Sequence, residues 1–336
     1  LSDTWRLIGG LRPEQTAIMV DGVGPILGAN PNVFPEELRA GSSTIDETRY
    51  LPALSAVYEI QENMNLRMSI SQTLARPSFR ELAPYYIEDA GGGDVYRGNP
   101  NGIPDLLNPF NENVLEPLEL SKIRNFDVRW EWFRNDLDFF SVSLFYKELE
   151  NPIEQSNIGV KPGATPANLQ PLLISFGNNP NDAEMQGVEA EVRKSLDFVQ
   201  WLEFWSIGAN ATFIDAEVPY REDEINLINS LTGSDPSGTR RLQDQPEWIL
   251  NGDISYNNTF SGTRATLSFY WISDELRSTA GINTLGTFAE SYHTLDFIAS
   301  QTFGEQGRWK LKVSAKNLTD PVRELIMDPQ FTLNET

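Results

Sequence analysis

Apolar and polar side chains alternate along "NLRMSISQTLARPSFREL", residues 65–82. A period of two is typical of a β-strand with two unlike faces. One face carries Leu66, Met68, Ile70 and Leu74, and the opposite face carries Arg67, Ser69, Ser71 and Thr73. Pro77 has no backbone N–H for a sheet, so we expect the strand to end there, with Arg76, Arg80 and Glu81 at a polar rim.

The same alternation recurs along the chain and predicts eleven strands and no clear amphipathic helix. The predicted strands cover residues 4–20, 48–58, 64–75, 123–132, 138–148, 185–195, 204–214, 247–256, 263–272, 292–302 and 309–317.

The predicted links alternate between short turns and long loops, and all the long loops follow odd-numbered strands. This layout predicts an all-β fold, an antiparallel up-and-down transmembrane β-barrel of the outer-membrane type, with the long loops extracellular. The long loops are residues 21–47, 76–122, 149–184, 215–246 and 273–291.

Charged residues occur in the middle of several strands, as in "FDVRWEW", residues 126–132. A charged side chain that faces lipid costs about 2–4 kcal/mol, so these side chains are expected to face a water-filled lumen. The eight tryptophans lie near predicted strand ends, as in interfacial aromatic rows. A soluble antiparallel sheet, for example a carbohydrate-binding protein, has similar alternation; it would stay folded and monomeric without detergent.

Composition excludes several functions. The chain has 336 residues, no cysteine and one histidine, His293, so thiol chemistry, a histidine-based triad and a multi-histidine metal site are not expected. A formal net charge of −22 argues against nucleic-acid binding. We expect no catalytic residue, metal or cofactor: Glu189 and Glu191 are interpreted as a solvated wall, and "REDEIN", residues 221–226, as a solvated loop. The Gly-rich "DGVGPILG", residues 21–28, is a weak candidate for phosphate binding.

An odd number of strands leaves two unpaired edges, and unpaired backbone groups in lipid cost several kcal/mol each. The pattern therefore predicts that the chain is a fragment of a larger barrel.

Several motifs resemble TonB-dependent outer-membrane receptors, in the order in which that family has them. They are "TLARPSFREL" (73–82), "RGNPN" (97–101), "LFYKELENPIEQ" (144–155), "NDAEMQGVEAEVRKSL" (181–196), "LQDQPEWILN" (242–251) and "KVSAKNLTDP" (312–321). The resemblance implies the C-terminal part of a 22-stranded barrel in the outer membrane of a Gram-negative bacterium, here the eleventh to twenty-first strands across residues 1–336. It also implies a plug and a TonB-contacting region upstream, active import of a scarce ligand, contact with outer-membrane lipid, and a surface lipoprotein as a further candidate partner.

The ligand is expected to bind the long loops. Loop 76–122 holds the candidate residues, which suit stacking on a sugar or an aromatic chelate: Tyr85, Tyr86, Tyr96, Arg97 and Phe110. The same aromatics could instead pack against one another within the loop. The candidate ligands are a siderophore, glycan, vitamin or peptide. The acidic loops disfavour a strongly anionic ligand and fit a neutral glycan, a peptide or a cationic complex. The alternative function is a passive pore or a structural, partner-docking barrel.

Overall fold

The computed structural model describes residues 4–26, 37–88, 95–100, 103–104, 113–135, 137–160, 172–233, 235–236, 238–279 and 286–327. The strands in chain order are β1 (Trp5–Ile26), β2 (Glu37–Gln61), β3 (Met64–Ala75), β4 (Tyr86–Glu88), β5 (Val95–Arg97), β6 (Ile103–Pro104), β7 (Asn113–Leu115), β8 (Ser121–Phe133), β9 (Phe139–Glu150), β10 (Ile153–Val160), β11 (Leu172–Asn178), β12 (Ala183–Ser195), β13 (Trp205–Pro219), β14 (Thr239–Arg241), β15 (Trp248–Asn258), β16 (Thr263–Ile272), β17 (Glu275–Ser278), β18 (Thr287–Ala289), β19 (Tyr292–Phe303), β20 (Trp309–Ala315) and β21 (Leu325–Met327). The helices are α1 (Phe79–Leu82) and α2 (Glu222–Thr232), with single 3-10 turns at Gln200–Leu202 and Glu305–Gly307.

One antiparallel sheet forms the wall of the molecule. Its strands follow the order β1-β2-β3-β8-β9-β12-β13-β15-β16-β19-β20, and β14 also pairs with β13. Each neighbour is the next long strand in the chain, which is the up-and-down order that the alternation predicts. All eleven predicted strands are present, so the predicted fold class is confirmed.

The two faces of the wall are unlike. At the β3–β8 ladder Ile70 lies opposite Phe126, and both are exposed on the apolar face. On the other face the register sets Arg67 opposite Arg129. The predicted separation of apolar and polar residues is therefore confirmed at this ladder.

Aromatic side chains line the wall at the end where the short turns lie. Ring pairs stand on adjacent strands there, with centroid separations of 4.7 Å for Trp5–Tyr58 and 5.2 Å for Trp205–Tyr256. At the opposite end, Phe213 and Trp248 pair at 4.9 Å. The aromatic rows therefore stand at both ends of the apolar face, as predicted from the tryptophans.

A belt of ion pairs lies beyond the apolar band of β8 and β9. Lys122 Nζ is 2.8 Å from Glu150 Oε1, and Arg124 pairs with Glu148 at 2.8 Å. Arg124 shares its strand face with Phe126, so these charges belong to the apolar side of the wall but stand at its long-loop end.

Shorter elements, which we call the cap, cover the end of the wall where the long connections lie. They include α1, α2, the sheet β10-β11-β5-β4 and the sheet β17-β18-β21. A buried apolar cluster joins the cap to the β1–β2 hairpin and consists of Ile45, Leu82, Leu118 and Leu120.

The prediction of a loop over residues 21–47 is wrong for most of these residues. β1 continues to Ile26 and β2 begins at Glu37, while residues 27–36 lie outside the described part of the chain. Gly22 lies opposite Gly41, and a Cβ atom at either would stand 2.8 or 2.9 Å from Pro84 of the cap. These glycines permit a close approach of the cap to the hairpin. Because residues 21–26 pair with residues 37–42 of β2, "DGVGPILG" begins as a strand and not as a phosphate-binding turn.

α2 differs from the solvated loop predicted at residues 221–226. Glu224 and Ile228 are buried, which is the spacing of one helix face. Tertiary packing of these two side chains stabilises a helix whose other residues are mostly polar. No described helix is long and apolar enough to cross a membrane.

Candidate functional site

The polar face of the wall carries a row of paired charges, which we call the charge ladder: Arg67, Glu131, Arg129 and Glu191. Nε of Arg67 lies 2.6 Å from Glu131, Nε of Arg129 lies 2.9 Å from the same carboxylate, and Nη2 of Arg129 lies 3.6 Å from Glu191. The ladder crosses β3, β8 and β12. Glu191 therefore serves as one rung of a solvated wall, which is the interpretation that the sequence favoured for Glu189 and Glu191.

A polar recess opens on the same face between β12 and β19. It has a volume of about 270 Å³, and its lining includes Asn210, Asn251, Asp253, Tyr270, Thr294 and Asp296. Asn251 Nδ2 donates to Asn210 Oδ1 at 2.8 Å. The sequence alone does not single out these residues, because the strand register brings them together from four strands. The alternating polar positions in "GAN" (208–210) and "NGD" (251–253) were the available signal.

A buried charge network, which we call the Arg240 hub, connects three parts of the cap. Both terminal nitrogens of Arg240 donate to Glu154 at 2.8 Å, and its Nε donates to Glu224 Oε1 at 2.9 Å. Asn179 Nδ2 donates to Glu154 at 2.9 Å. The hub therefore joins β10, α2 and β14, which belong to two different long connections.

The side chains of the hub are almost completely removed from water. Burial by itself raises the pKa of Glu154, but the hydrogen bonds and charge of Arg240 outweigh burial and hold that pKa below its ordinary value. Burial likewise opposes the charge on Arg240, and the paired carboxylates nevertheless raise its pKa. Glu154 and Arg240 are therefore both held in their charged forms.

Neutral hydrogen bonds extend these connections across the cap. Gln243 accepts from the backbone N–H of Gln155 at 2.7 Å and donates to its carbonyl at 2.6 Å. The buried Asn99 donates to the carbonyls of Glu116 at 2.7 Å and Phe176 at 2.9 Å. Loop 76–122 and the two connections after β9 and β13 are thus joined in one hydrogen-bonded assembly.

The structure brings together four of the five predicted ligand-binding residues. β4 pairs with β5, which sets the backbone of Tyr86 opposite Arg97, with Tyr96 next to it. Tyr85 comes just before β4, and its hydroxyl accepts from Arg80 Nε at 3.3 Å. Phe110 lies outside the described residues. Ligand binding by this group stays a prediction.

Arg97 is the cation of this group, and its side chain is half-buried. Burial lowers the pKa of its guanidinium, which remains positively charged at neutral pH. Within the described ranges, no ion pair or side-chain hydrogen bond of Arg97 is observed. Among the same residues, no group of three or more His, Asp or Glu side chains is arranged to hold a metal ion.

The apolar outer face, the aromatic rows, the polar inner face and the up-and-down order together define the wall of an outer-membrane β-barrel. The family model "TonB dependent receptor-like, beta-barrel" matches residues 1–318. The chain belongs to this family, and its location is the outer membrane.

Three solved structures of similar fold are remote from this chain in sequence. The chain is 15% identical to the ferric-catecholate import receptor Fiu from E. coli K12, with a TM-score of 0.58, and the match covers 95% of this chain and 39% of that one. The copper transporter OprC gives 14% identity, a TM-score of 0.58 and coverages of 100% and 44%. The ferric yersiniabactin uptake receptor FyuA from Yersinia pestis gives 16% identity and a TM-score of 0.54, and the match covers 96% of this chain and 39% of that one.

Because the sequence identities are low, these likenesses show the fold alone. The chain spans about two fifths of the length of these structures. No curated protein matches it.

Proposed function

We propose that this chain supplies barrel wall and ligand-binding loops to a TonB-dependent importer that takes a scarce ligand across the outer membrane. The family match over residues 1–318 carries the proposal. Similar structures are described as a ferric-catecholate import receptor, a copper transporter and a ferric yersiniabactin uptake receptor, which supports a metal chelate among the candidate ligands. A glycan, vitamin or peptide remains an alternative ligand, and no enzymatic step is assigned to the chain.

In this proposal the long connections and the cap face the outside of the cell. The cap receives the ligand, the polar face lines its route, and the TonB complex supplies the energy. A surface lipoprotein stays a predicted partner.

Growth of a deletion strain tests the import function. The strain is supplied with one ferric siderophore, vitamin or glycan at a time, with and without the restored receptor, in cells that have or lack TonB. For the true ligand, growth at limiting concentration should require both the receptor and TonB. Growth that needs the receptor but not TonB would support the passive pore instead, and normal growth of the deletion strain on a source excludes that source.

The aromatic group on β4 and β5 is proposed to contact the ligand. Tyr96→Ala and Arg97→Ala should raise the ligand concentration needed for half-maximal uptake by about tenfold, because each loses a stacking or charged contact of about 1–2 kcal/mol. Tyr50→Ala is the matched control, since Tyr50 is 63% exposed on the apolar face. Equal uptake by all three variants would remove these residues from the site.

A further inference from the structure

The connection between β12 and β13 is rich in apolar residues although it is a short turn. Its sequence is "LDFVQWLEF", residues 196–204, whereas the β19–β20 turn "GEQGR", residues 304–308, has no apolar side chain. We propose that this connection, which we call the amphipathic turn, binds the membrane by inserting aromatic side chains among the lipid headgroups beside the barrel. The inference goes beyond the proposed import function and does not depend on it.

The residues of the amphipathic turn repeat with a period of three. The backbone N–H of Val199 donates to the Leu196 carbonyl at 3.1 Å, and that of Leu202 donates to the Val199 carbonyl at 2.7 Å. Each bond closes a turn of three residues. The connection therefore has a half-buried apolar set, an aromatic set and an exposed polar set, which are Leu196, Val199 and Leu202; Phe198, Trp201 and Phe204; and Asp197, Gln200 and Glu203.

Contacts at both ends of the aromatic set place it on the outer side of the wall. Lys194 lies opposite Ile207, which is 40% exposed on the apolar face, and Lys194 Nζ is 5.5 Å from the centroid of the Phe198 ring. At the other end, the ring of Phe204 is 6.0 Å from that of Tyr256, which belongs to the aromatic row. The outer side of a closed barrel faces lipid, so a plug inside the lumen does not cover these residues.

The aromatic row of the strands continues into the neighbouring short turn. Phe260, in the turn between β15 and β16, is 90% exposed, and its ring centroid is 6.2 Å from that of Phe204. Rings therefore follow one another from Tyr256 at the strand end through Phe204 to Phe260. Because aromatic rows of barrels lie at the membrane–water interface, the turns that pack on this row are expected to lie at the headgroups.

The exposure of the largest side chains favours a membrane contact. Phe198 is 69% exposed and Trp201 is 78% exposed. Exposed apolar patches with a polar rim mark contacts with a membrane or a protein, and the position beside the aromatic row favours the membrane. Lys194 adds a cation below an aromatic ring, as in side chains that extend their charge to the headgroups. The polar set then meets water, as in amphipathic segments that lie in the interface.

Site-directed fluorescence tests the proposal. Because the chain has no cysteine, Trp201→Cys and Gln200→Cys each introduce a single thiol, one in the aromatic set and one in the polar set. Each is labelled with a nitrobenzoxadiazole dye in the receptor in lipid nanodiscs, and quenching is measured with nitroxide lipids labelled near the headgroup and with aqueous iodide. Nitroxide should quench the dye at position 201 about fivefold more than at position 200, and iodide should show the reverse order.

Two further substitutions assign the effect to the aromatic set. In Trp201→Cys, adding Phe198→Glu should lower the nitroxide quenching about threefold, because a carboxylate opposes insertion. Glu203→Gln is the matched control in the polar set and should leave the quenching unchanged. Glu305→Cys, in the polar β19–β20 turn, is the reference for a turn in water and should resemble Gln200→Cys. Heat-modifiable electrophoretic mobility checks that each barrel is folded.

Three results would overturn the proposal. They are equal nitroxide quenching at positions 200 and 201, stronger iodide quenching at 201 than at 200, and protection of position 201 from both quenchers, which would mean that protein covers the aromatic set. The nanodisc measurement needs neither a transported ligand nor TonB. Its outcome is therefore independent of the import test.

Discussion

The Arg240 hub and the charge ladder are built from the same two residue types, arginine and glutamate, but they have different effects on the structure. In the hub, Arg240 is 6% exposed and its two glutamates are 1% exposed. In the ladder both arginines are more exposed, Arg67 at 48% and Arg129 at 28%, and only Glu131, at 9%, is nearly buried. Charges that are removed from water must be paired, and those that face water need not be. The hub therefore determines the structure of the cap, while the ladder mainly sets the electric field of the inner wall.

Removal of Arg240 should have the largest effect. Arg240→Ala leaves the buried Glu154 and Glu224 with only the more distant cation of Arg221, whose Nε is 3.9 Å from Glu224, and this loss costs about 3–5 kcal/mol. Amide hydrogen exchange in β10 and β11 should accelerate by about a hundredfold or more. Arg277→Ala is the control in the same cap, because Arg277 is 47% exposed and its loss should cost at most about 1 kcal/mol. Equal exchange in both variants would show that burial does not distinguish the hub.

Acid should weaken the hub by a smaller amount, since protonated Glu154 still keeps a hydrogen bond. The folded-state pKa of Glu154 lies below its unfolded value of about 4.3. Its stabilising contribution is therefore fully present above that value and is lost as the pH falls through the lower, folded-state pKa. Exchange protection of β10, corrected for intrinsic rates, should be constant from about pH 7 to 5 and fall in stronger acid. A Glu154→Gln variant should lack this acid step; an unchanged step would assign it to another group.

Asn99→Ala tests whether a neutral group holds the cap as a charged one does. The substitution leaves the carbonyls of Glu116 and Phe176 without their side-chain donor, at a cost of about 1–3 kcal/mol. Exchange in β5 and β11 should rise, but less than with Arg240→Ala. Asn258→Ala, at the end of β15 next to the short turn, should leave cap exchange unchanged, and a rise in the cap would mean that the method does not report on the cap alone.

The smallest effect is expected in the ladder. Arg129→Ala leaves Glu131 with Arg67 and Glu191 with Arg193, and water solvates the rest, so global stability should change by at most about 1 kcal/mol. Urea unfolding of the receptor in detergent measures this change. A loss as large as that from Arg240→Ala would contradict the distinction between the two networks.

The period of two predicted every strand of the wall, because each strand has one face against lipid and one against water. The strand ends were harder to predict. "DGVGPI" has the composition of a loop, and its pairing with residues 37–42 depends on a partner strand that local composition does not reveal.

The candidate sites were only partly predictable. Tyr86, Tyr96 and Arg97 come close through the β4–β5 hairpin, which is local in sequence. Glu154 and Arg240 are 86 residues apart, and no periodicity connects them. The recess depends on three strand registers, each of which sets which polar residue stands beside which.

The belt of Lys122, Arg124, Glu148 and Glu150 fixes how deeply this part of the wall sits in the bilayer. If the wall moved into the bilayer by the thickness of the headgroup layer, these charges would enter the hydrocarbon core. If it moved outward by the same distance, the aromatic rows would leave the membrane–water interface. The wall therefore has little freedom to slide along the membrane normal. In a bilayer of different thickness we expect the surrounding lipids to stretch or compress to match the protein.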